Sequence, residues 1–221
     1  MQDEVLPHDA WGRKSWLRGR PVSRLDHTRT HPPLGAPVTF DHVADRPKPS
    51  WEGVLPGRPA PFFLEDGDGE RARLFDSVVT VLLSADETEG QFGVFTTRQP
   101  KGDLIVAHSH EDVHEIFYVV EGAARVFLEH PDGRQESKLL LPGDFGYVPA
   151  GIVHSYRTEG EYNKILGVST GGFERFFQAL GDLTEERDVP AVPFIPSPER
   201  MRQAFTRYRN IPAPGQQWEG A

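Results

Sequence analysis

The pattern of polar and apolar positions changes near residue 61. Residues 1–60 show no sustained period of either two or 3.6. From there to residue 170, short apolar-rich runs follow one another, each closed by glycine, proline or a polar turn. The run at 73–85 (RLFDSVVTVLLSA) is dense in β-branched and aliphatic residues and predicts a strand. ADETEG then reads as a turn, and QFGVFTTRQP as a second strand stopped by Pro100. Further strands are predicted over 105–110, 113–121, the segment AARVFLEH after Gly122, 135–141, 145–149, 152–158 and 162–170. Pro131-Asp132-Gly133 and Pro142-Gly143-Asp144 supply tight turns between them. Short strands at this spacing predict an antiparallel sandwich or barrel, not βαβ units.

After residue 170 the period becomes helical. Phe173, Phe176, Phe177 and Leu180 fall at i, i+3, i+4 and i+7, with Gly171-Gly172 in front and Gly181 as the expected C-terminal cap. This stripe reads as packing against one end of the barrel. A second helix is predicted from Ser197 as N-cap, Pro198 at the first helical position and Glu199 near the positive end of the dipole. Met201, Ala204, Phe205 and Tyr208 form its apolar face and Arg200, Arg202, Arg207 and Arg209 its wet one, while Asn210 and Pro212 end it before a tail read as mobile. The expected division is an irregular N-terminal arm over 1–60, a β-barrel domain over 61–170, and C-terminal helices and a tail over 171–221.

Composition narrows the functional classes. Hydrophobic residues make up 37% of the chain and aromatic ones 10%, as in a soluble globular protein. A net charge of -9 argues against a general nucleic-acid binder. With no cysteine there can be no disulfide, thiolate ligand or cysteine nucleophile. No apolar run approaches the ~20 residues of a membrane span, and MQDEVLPHDAW lacks the features of a signal peptide, so a cytoplasmic protein without membrane contact is expected. Between Arg13 and Arg29 the arm carries six basic residues, Arg13, Lys14, Arg18, Arg20, Arg24 and Arg29, against one acid, Asp26. They read either as a contact for an anionic partner or as an arm laid over the acidic barrel of its own or a neighbouring subunit. Trp11, Trp16, Phe40 and Trp51 are its expected anchors, and His8, His27, His31 and His42 read as surface residues.

The chemistry concentrates in residues 102–122, GDLIVAHSHEDVHEIFYVVEG. Because strand side chains alternate between faces, His108 and His110 send both imidazoles to one side, and Glu115 leads a second alternating run with Phe117 and Val119. His114 has the opposite parity to Glu115 and is expected to face out. His154 follows Pro149 and Gly151 in GDFGYVPAGIVHSYRT. His-x-His also occurs on wet strand faces, and a lone histidine is more often structural than a ligand. Two imidazoles and a carboxylate converging on one point, with His154 as a fourth donor, nevertheless suit a divalent transition metal. Three nitrogens and a carboxylate fit Fe, Ni, Mn, Co, Cu or Zn, and affinity order alone does not choose among them. A purely structural metal site would more often be tetrahedral zinc with sulfur ligands, which this set fits poorly.

The spacings match both signature motifs of the cupin superfamily. The first runs Gly102, five residues, His108-x-His110, four residues, Glu115, six residues, Gly122. The second runs Gly143, five residues, Pro149-x-Gly151, two residues, His154, with Thr158 at a closing position often filled by Asn in the family. The resemblance implies an all-β fold, the cupin double-stranded β-helix or jelly-roll barrel. Over residues 92–182 the chain most resembles the quercetin 2,3-dioxygenase branch, in EIFYVVEG, LLLPGDFGYVPAGIVHSYR and GGFERFFQALGD. That likeness implies one metal held by His108, His110, Glu115 and His154. It also implies that Glu115 takes the proton of a flavonol enol hydroxyl, and that O2 cleaves the ring to release carbon monoxide and a depside. Those enzymes are often bicupins, whereas only one motif pair stands in this chain. The expected partners are a small aromatic substrate, O2 and a second subunit in a homodimer.

Such chemistry needs a dry, mostly apolar cavity. Phe92, Phe95, Phe117, Phe145, Tyr147 and Tyr156 are its candidate walls, each equally readable as barrel core. Tyr156, on the face of His154, is the expected catalytic partner of Glu115, with its hydroxyl placed to orient a substrate. Two other classes fit the same residues. One is an oxygen-independent metal cupin doing isomerase, lyase or cyclase chemistry, and the other is a non-catalytic cupin that binds a small ligand.

Overall fold

The computed structural model describes residues 54–218. The basic stretch and the aromatic anchors expected in the arm lie outside the described residues. The strands are β1 (Glu70–Leu74), β2 (Ser77–Leu83), β3 (Phe92–Pro100), β4 (Leu104–His110), β5 (Glu115–Glu121), β6 (Ala124–Glu129), β7 (Gln135–Leu140), β8 (Phe145–Val148), β9 (Val153–Thr158), β10 (Tyr162–Thr170), β11 (Asp182–Leu183) and β12 (Asn210–Pro212). The helices are α1 (Glu174–Leu180) and α2 (Pro198–Arg207). All pairings are antiparallel and form two sheets, β11-β1-β2-β3-β10-β5-β8 and β12-β4-β9-β6-β7. Two antiparallel sheets packed face to face make this a jelly-roll β fold.

The inward faces of the two sheets meet in one core. Phe117, Val119, Val148 and Ile165 of the seven-stranded sheet pack against Ala124, Val126, Leu140 and Tyr156 of the five-stranded one. Each is at an alternate position of its strand, so a period of two delivers one full set to the core. Gly122 has φ of +81°, and a Cβ there would run into the Tyr162 carbonyl and Asn163, so the turn from β5 to β6 admits only glycine. Thr158 serves the barrel through its hydroxyl, which donates to the Pro100 carbonyl at 2.6 Å and ties the β3–β4 turn to β9.

Three local expectations differ from the structure. The run at 73–85 is two strands, because the chain reverses at Phe75-Asp76, where Phe75 takes a φ of +52°. Gly181 caps α1 with an extended backbone (φ −80°). Glycine is needed there for room, since a Cβ would press on the carbonyls of Arg73 and Phe177. The chain after α2 is held down: Asn210–Pro212 pairs with His110–His108 of β4, and Trp218 stacks on Phe127 at 5.7 Å. Backbone pairing and this aromatic contact are long-range, so the Pro- and Gly-containing tail gives no local sign of either. No helix among the described residues is long and apolar enough to cross a membrane.

Candidate metal centre and cavity

The site is built from both sheets. On β4, His108 and His110 share the inward face, and on the neighbouring β9 His154 lies directly opposite His108 in the register. Glu115 opens β5 in the facing sheet. The ligand atoms of His108, His110, Glu115 and His154 lie within 4.8 Å of one another, and all four residues are buried. β12 runs along the outer edge of β4 beside the His-x-His segment, and α2 leads directly into it.

Hydrogen bonds set how each ring faces the centre. Nδ1 of His108 lies 2.7 Å from the Val106 carbonyl and Nδ1 of His154 lies 2.9 Å from the Ile152 carbonyl. A carbonyl only accepts, so each Nδ1 carries a proton and each Nε2 turns inward. Nε2 of His154 meets Oε2 of Glu115 at 2.9 Å, while Nε2 of His110 lies 3.5 Å from the same oxygen. His110 is 1% exposed, yet neither of its ring nitrogens makes a hydrogen bond. Its ring packs edge-on against Phe173 with centroids 4.2 Å apart. A buried imidazole without a hydrogen bond is costly unless something absent from the chain satisfies it.

Electrostatics agree with a cation site. Burial and the neighbouring His154 and His110 push His108 down to about 3, so its Nε2 lone pair stays free across the ordinary pH range. Burial works to raise the Glu115 carboxyl, but contact with His110 and His154 outweighs it and holds the group well below the usual carboxylate range. Burial disfavours a charged His154, but its hydrogen bond and charge interaction with Glu115 raise it overall. Contact with the Glu115 carboxylate thus favours a proton on His154, and a cation at the centre would take that proton's place. The three imidazoles and one carboxylate could hold one divalent metal; their chemistry excludes none of the six metals named above.

Beside the group lies a cavity of about 520 Å³, the size of a small-molecule site. His108, Glu115 and His154 line it, and so do Phe95, Phe117 and Tyr156. Phe92, Phe145 and Tyr147 stand outside it. β8 pairs with β5 so that Val148 faces Glu115 and Gly146 faces Phe117, which puts Phe145 and Tyr147 on the outer face, 58% and 49% exposed. Phe92 has the parity opposite to Phe95 on β3 and is also exposed. His114 faces out, with Nδ1 2.7 Å from the Tyr147 hydroxyl.

The cavity has walls that strand parity alone does not indicate. Phe173, Phe176 and Phe177 of the α1 stripe line it, as do Met201 and Phe205 of α2. The i, i+3, i+4 spacing gives a shared face read as packing against one end of the barrel, and the structure sets that face on the cavity. A polar cluster of Thr97, Gln99, Asp103 and Tyr156 also lines the cavity. Gln99, 1% exposed, accepts from the hydroxyls of Thr97 at 2.9 Å and Tyr156 at 3.0 Å, and its amide donates to Asp103 at 2.8 Å. The signal for Gln99 was its parity: Phe95, Thr97 and Gln99 all point inward, and a buried glutamine invites a question about its partners. Burial drives the Tyr156 phenol well above its ordinary range, so the hydroxyl stays protonated.

Residues 94–166 match the family described as a cupin domain. Over 140 residues the chain is 41% identical to quercetin 2,3-dioxygenase of Bacillus subtilis (strain 168), a match covering 63% of this chain and 40% of that protein. The quercetin 2,3-dioxygenase of Aspergillus japonicus is 30% identical over 109 residues, covering 48% of this chain and 31% of that protein. Among solved structures, KdgF from Halomonas sp. aligns with a TM-score of 0.44 and 19% identity over 51% of this chain and 94% of that one. The chain spans less than half the length of the two curated dioxygenases. Both cupin motifs, the two-sheet fold and the family match agree: this chain carries a cupin domain and is similar in sequence to the quercetin 2,3-dioxygenases.

Proposed function

We propose that this protein is a metal-dependent cupin dioxygenase that oxidises a flavonol, or another enolisable aromatic or polyketide substrate, with O2. The observation that carries the reading is the meeting of His108, His110, Glu115 and His154 at the edge of a mostly apolar cavity, with His110 buried and making no hydrogen bond through either ring nitrogen. The similarity to two quercetin 2,3-dioxygenases supports the choice of chemistry.

The three imidazoles and Glu115 would hold the metal, which when bound supplies a Lewis acid for an enolic oxygen and, if redox-active, a route for electrons to O2. Glu115 acts as general base. Its carboxylate is held ionised, is buried, and borders the cavity, so it can take the proton of an enol hydroxyl and leave an electron-rich enolate for O2. Phe95, Phe117, Phe173 and Phe177 bind a flat ring and exclude water. Tyr156 orients the substrate through its hydroxyl.

The test is O2 uptake with a small flavonol panel by protein reconstituted separately with Fe(II), Mn(II), Co(II), Ni(II), Cu(II) and Zn(II), with Glu115→Gln as control. Uptake that requires a redox-active metal and is lost in the variant is the expected result. No uptake with any metal, in protein shown to hold one, overturns the dioxygenase reading. Turnover that proceeds with zinc and without oxygen would assign the Lewis-acid class instead.

A further inference from the structure

The polar cluster on the cavity wall has a direction. Asp103 accepts the Gln99 amide N–H at 2.8 Å, and a carboxylate has no proton to give. That contact fixes which end of the Gln99 amide points where: Nε2 toward Asp103, Oε1 toward Thr97 and Tyr156. Oε1 only accepts, so the hydroxyl of Tyr156, 3.0 Å away, must spend its single proton on Gln99. Thr97 faces the same oxygen at 2.9 Å and brings no acceptor demand of its own there. The backbone under Gln99 is fixed as well, since the Asn163 side-chain amide donates to the Gln99 carbonyl at 3.1 Å. Gln99 and Asn163 are both 1% exposed, so no bulk water competes for these groups.

We infer that Gln99, oriented by Asp103, commits the Tyr156 proton to the barrel wall, so that Tyr156 meets a ligand only as a hydrogen-bond acceptor and the cavity selects aromatic ligands that bring a hydroxyl donor to that point. Gln99 and Asp103 are positioning residues, acting on the ligand through Tyr156. An ether or carbonyl oxygen at the same place would face a lone pair with no proton between them, leaving two buried acceptors unsatisfied. The inference rests on the proposed use of this cavity for a small aromatic substrate, but it concerns binding and needs no turnover.

The experiment is anaerobic calorimetric titration of metal-loaded protein with a flavonol and with analogues in which each hydroxyl in turn is replaced by hydrogen or by methoxy. At one ring position the wild type should prefer hydroxyl to methoxy by about tenfold or more. That preference should vanish in Tyr156→Phe, which separates it from any hydroxyl whose loss weakens binding through the metal. In Gln99→Leu the freed tyrosine proton can be donated to a ligand, so methoxy should draw level with hydroxyl or overtake it. Asp103→Asn leaves Gln99 and Tyr156 in place but ends the enforced amide orientation, and should narrow the preference in the same direction. It also guards against a Gln99→Leu variant that fails to fold. A hydroxyl preference of equal size in wild type, Gln99→Leu and Asp103→Asn overturns the inference. Selective binding without O2 uptake would overturn the dioxygenase reading alone, and O2 uptake without this selectivity would overturn the inference alone.

Discussion

Oε2 of Glu115 lies 2.9 Å from Nε2 of His154, although the two residues sit on strands of different sheets. The contact joins the two halves of the barrel at the point where the metal ligands converge. Breaking one partner of a buried ion pair leaves the other charge exposed to a low-dielectric interior, whereas a divalent cation would satisfy the carboxylate and the imidazoles together.

Metal should therefore stabilise the fold by mass action. At a free metal concentration about 100 times the dissociation constant the gain is about 2.7 kcal/mol. For a protein of this size that corresponds to a rise in Tm of roughly 5–10 °C. Differential scanning calorimetry with and without chelator measures it. His110→Ala should lose the metal-dependent part of the shift, and an unchanged shift in that variant would remove His110 from the ligand set.

In the metal-free protein, His108 and Glu115 should contribute less stability on acidification. His108 is lowered from its ordinary value to about 3, so the unfolded chain binds a proton that the folded chain refuses between about pH 6.5 and 3. Its contribution is complete above pH ~6.5 and is lost as the pH falls through that window. Glu115, also lowered, adds stability that is present above about pH 4.3 and lost below it. His154 runs the other way: raised by Glu115, it contributes below pH ~6.5 and its share fades as the pH rises through its folded value. Glu174, which burial raises to about 7, opposes this by gaining stability over the same range, so denaturant titrations of metal-free Glu174→Gln from pH 7 to 4 should show a fall of a few kcal/mol. Metal binding, which needs His154 deprotonated, should tighten with rising pH and release a proton.

Glu174 offers a stability prediction away from the metal. It is fully buried, one oxygen accepts from the Ala85 N–H at 2.9 Å, and the other has no partner. Burial raises its carboxyl to about 7, so its cost to folding builds as the pH rises from about 4.5 to 7 and is complete above that. Glu174→Gln keeps the acceptor for Ala85 and removes the charge. It should stabilise the protein by about 1–2 kcal/mol at pH 8 and change little at pH 5. Equal effects at both values would show that ionisation is not what the site resists.

Gly167 sits opposite Phe95 in the β3–β10 register, and a Cβ there would collide with the Phe95 ring. Because that ring lines the cavity, its displacement should both strain the sheet and narrow the binding space. Gly167→Ala should destabilise by about 1–3 kcal/mol, typical of overpacking. It should also weaken aromatic ligand binding, as followed by calorimetry. Loss of stability with unchanged affinity would mean that Phe95 yields without entering the cavity.

The metal set was readable because every piece of it is local. A His-x-His pair on a strand shares a face by the period of two, Glu115 begins a second run of fixed parity, and Pro149 and Gly151 turn the chain into the strand that carries His154. The α2 cap was equally readable, with Ser197 accepting from the Arg200 N–H as Ser-Pro-Glu predicts. The cavity wall was only half readable. Phe117 and Phe145 look alike in sequence, and what separates them is which face of the β5–β8 ladder each occupies, a register that Gly146 opposite Phe117 and Val148 opposite Glu115 decide.

By itself, then, the sequence determined the β-rich barrel, the two motifs and the four metal-ligand candidates, because alternation and turn chemistry act over a few residues. Only the tertiary structure decided that the α1 phenylalanines and α2 close the cavity, that β12 braces the His-x-His strand, and that Asp103 turns Gln99 toward Tyr156. Apart from the short-range Asp103–Gln99 contact, these join segments tens of residues apart. Their geometry comes from how the sheets and helices pack together, which no local period encodes.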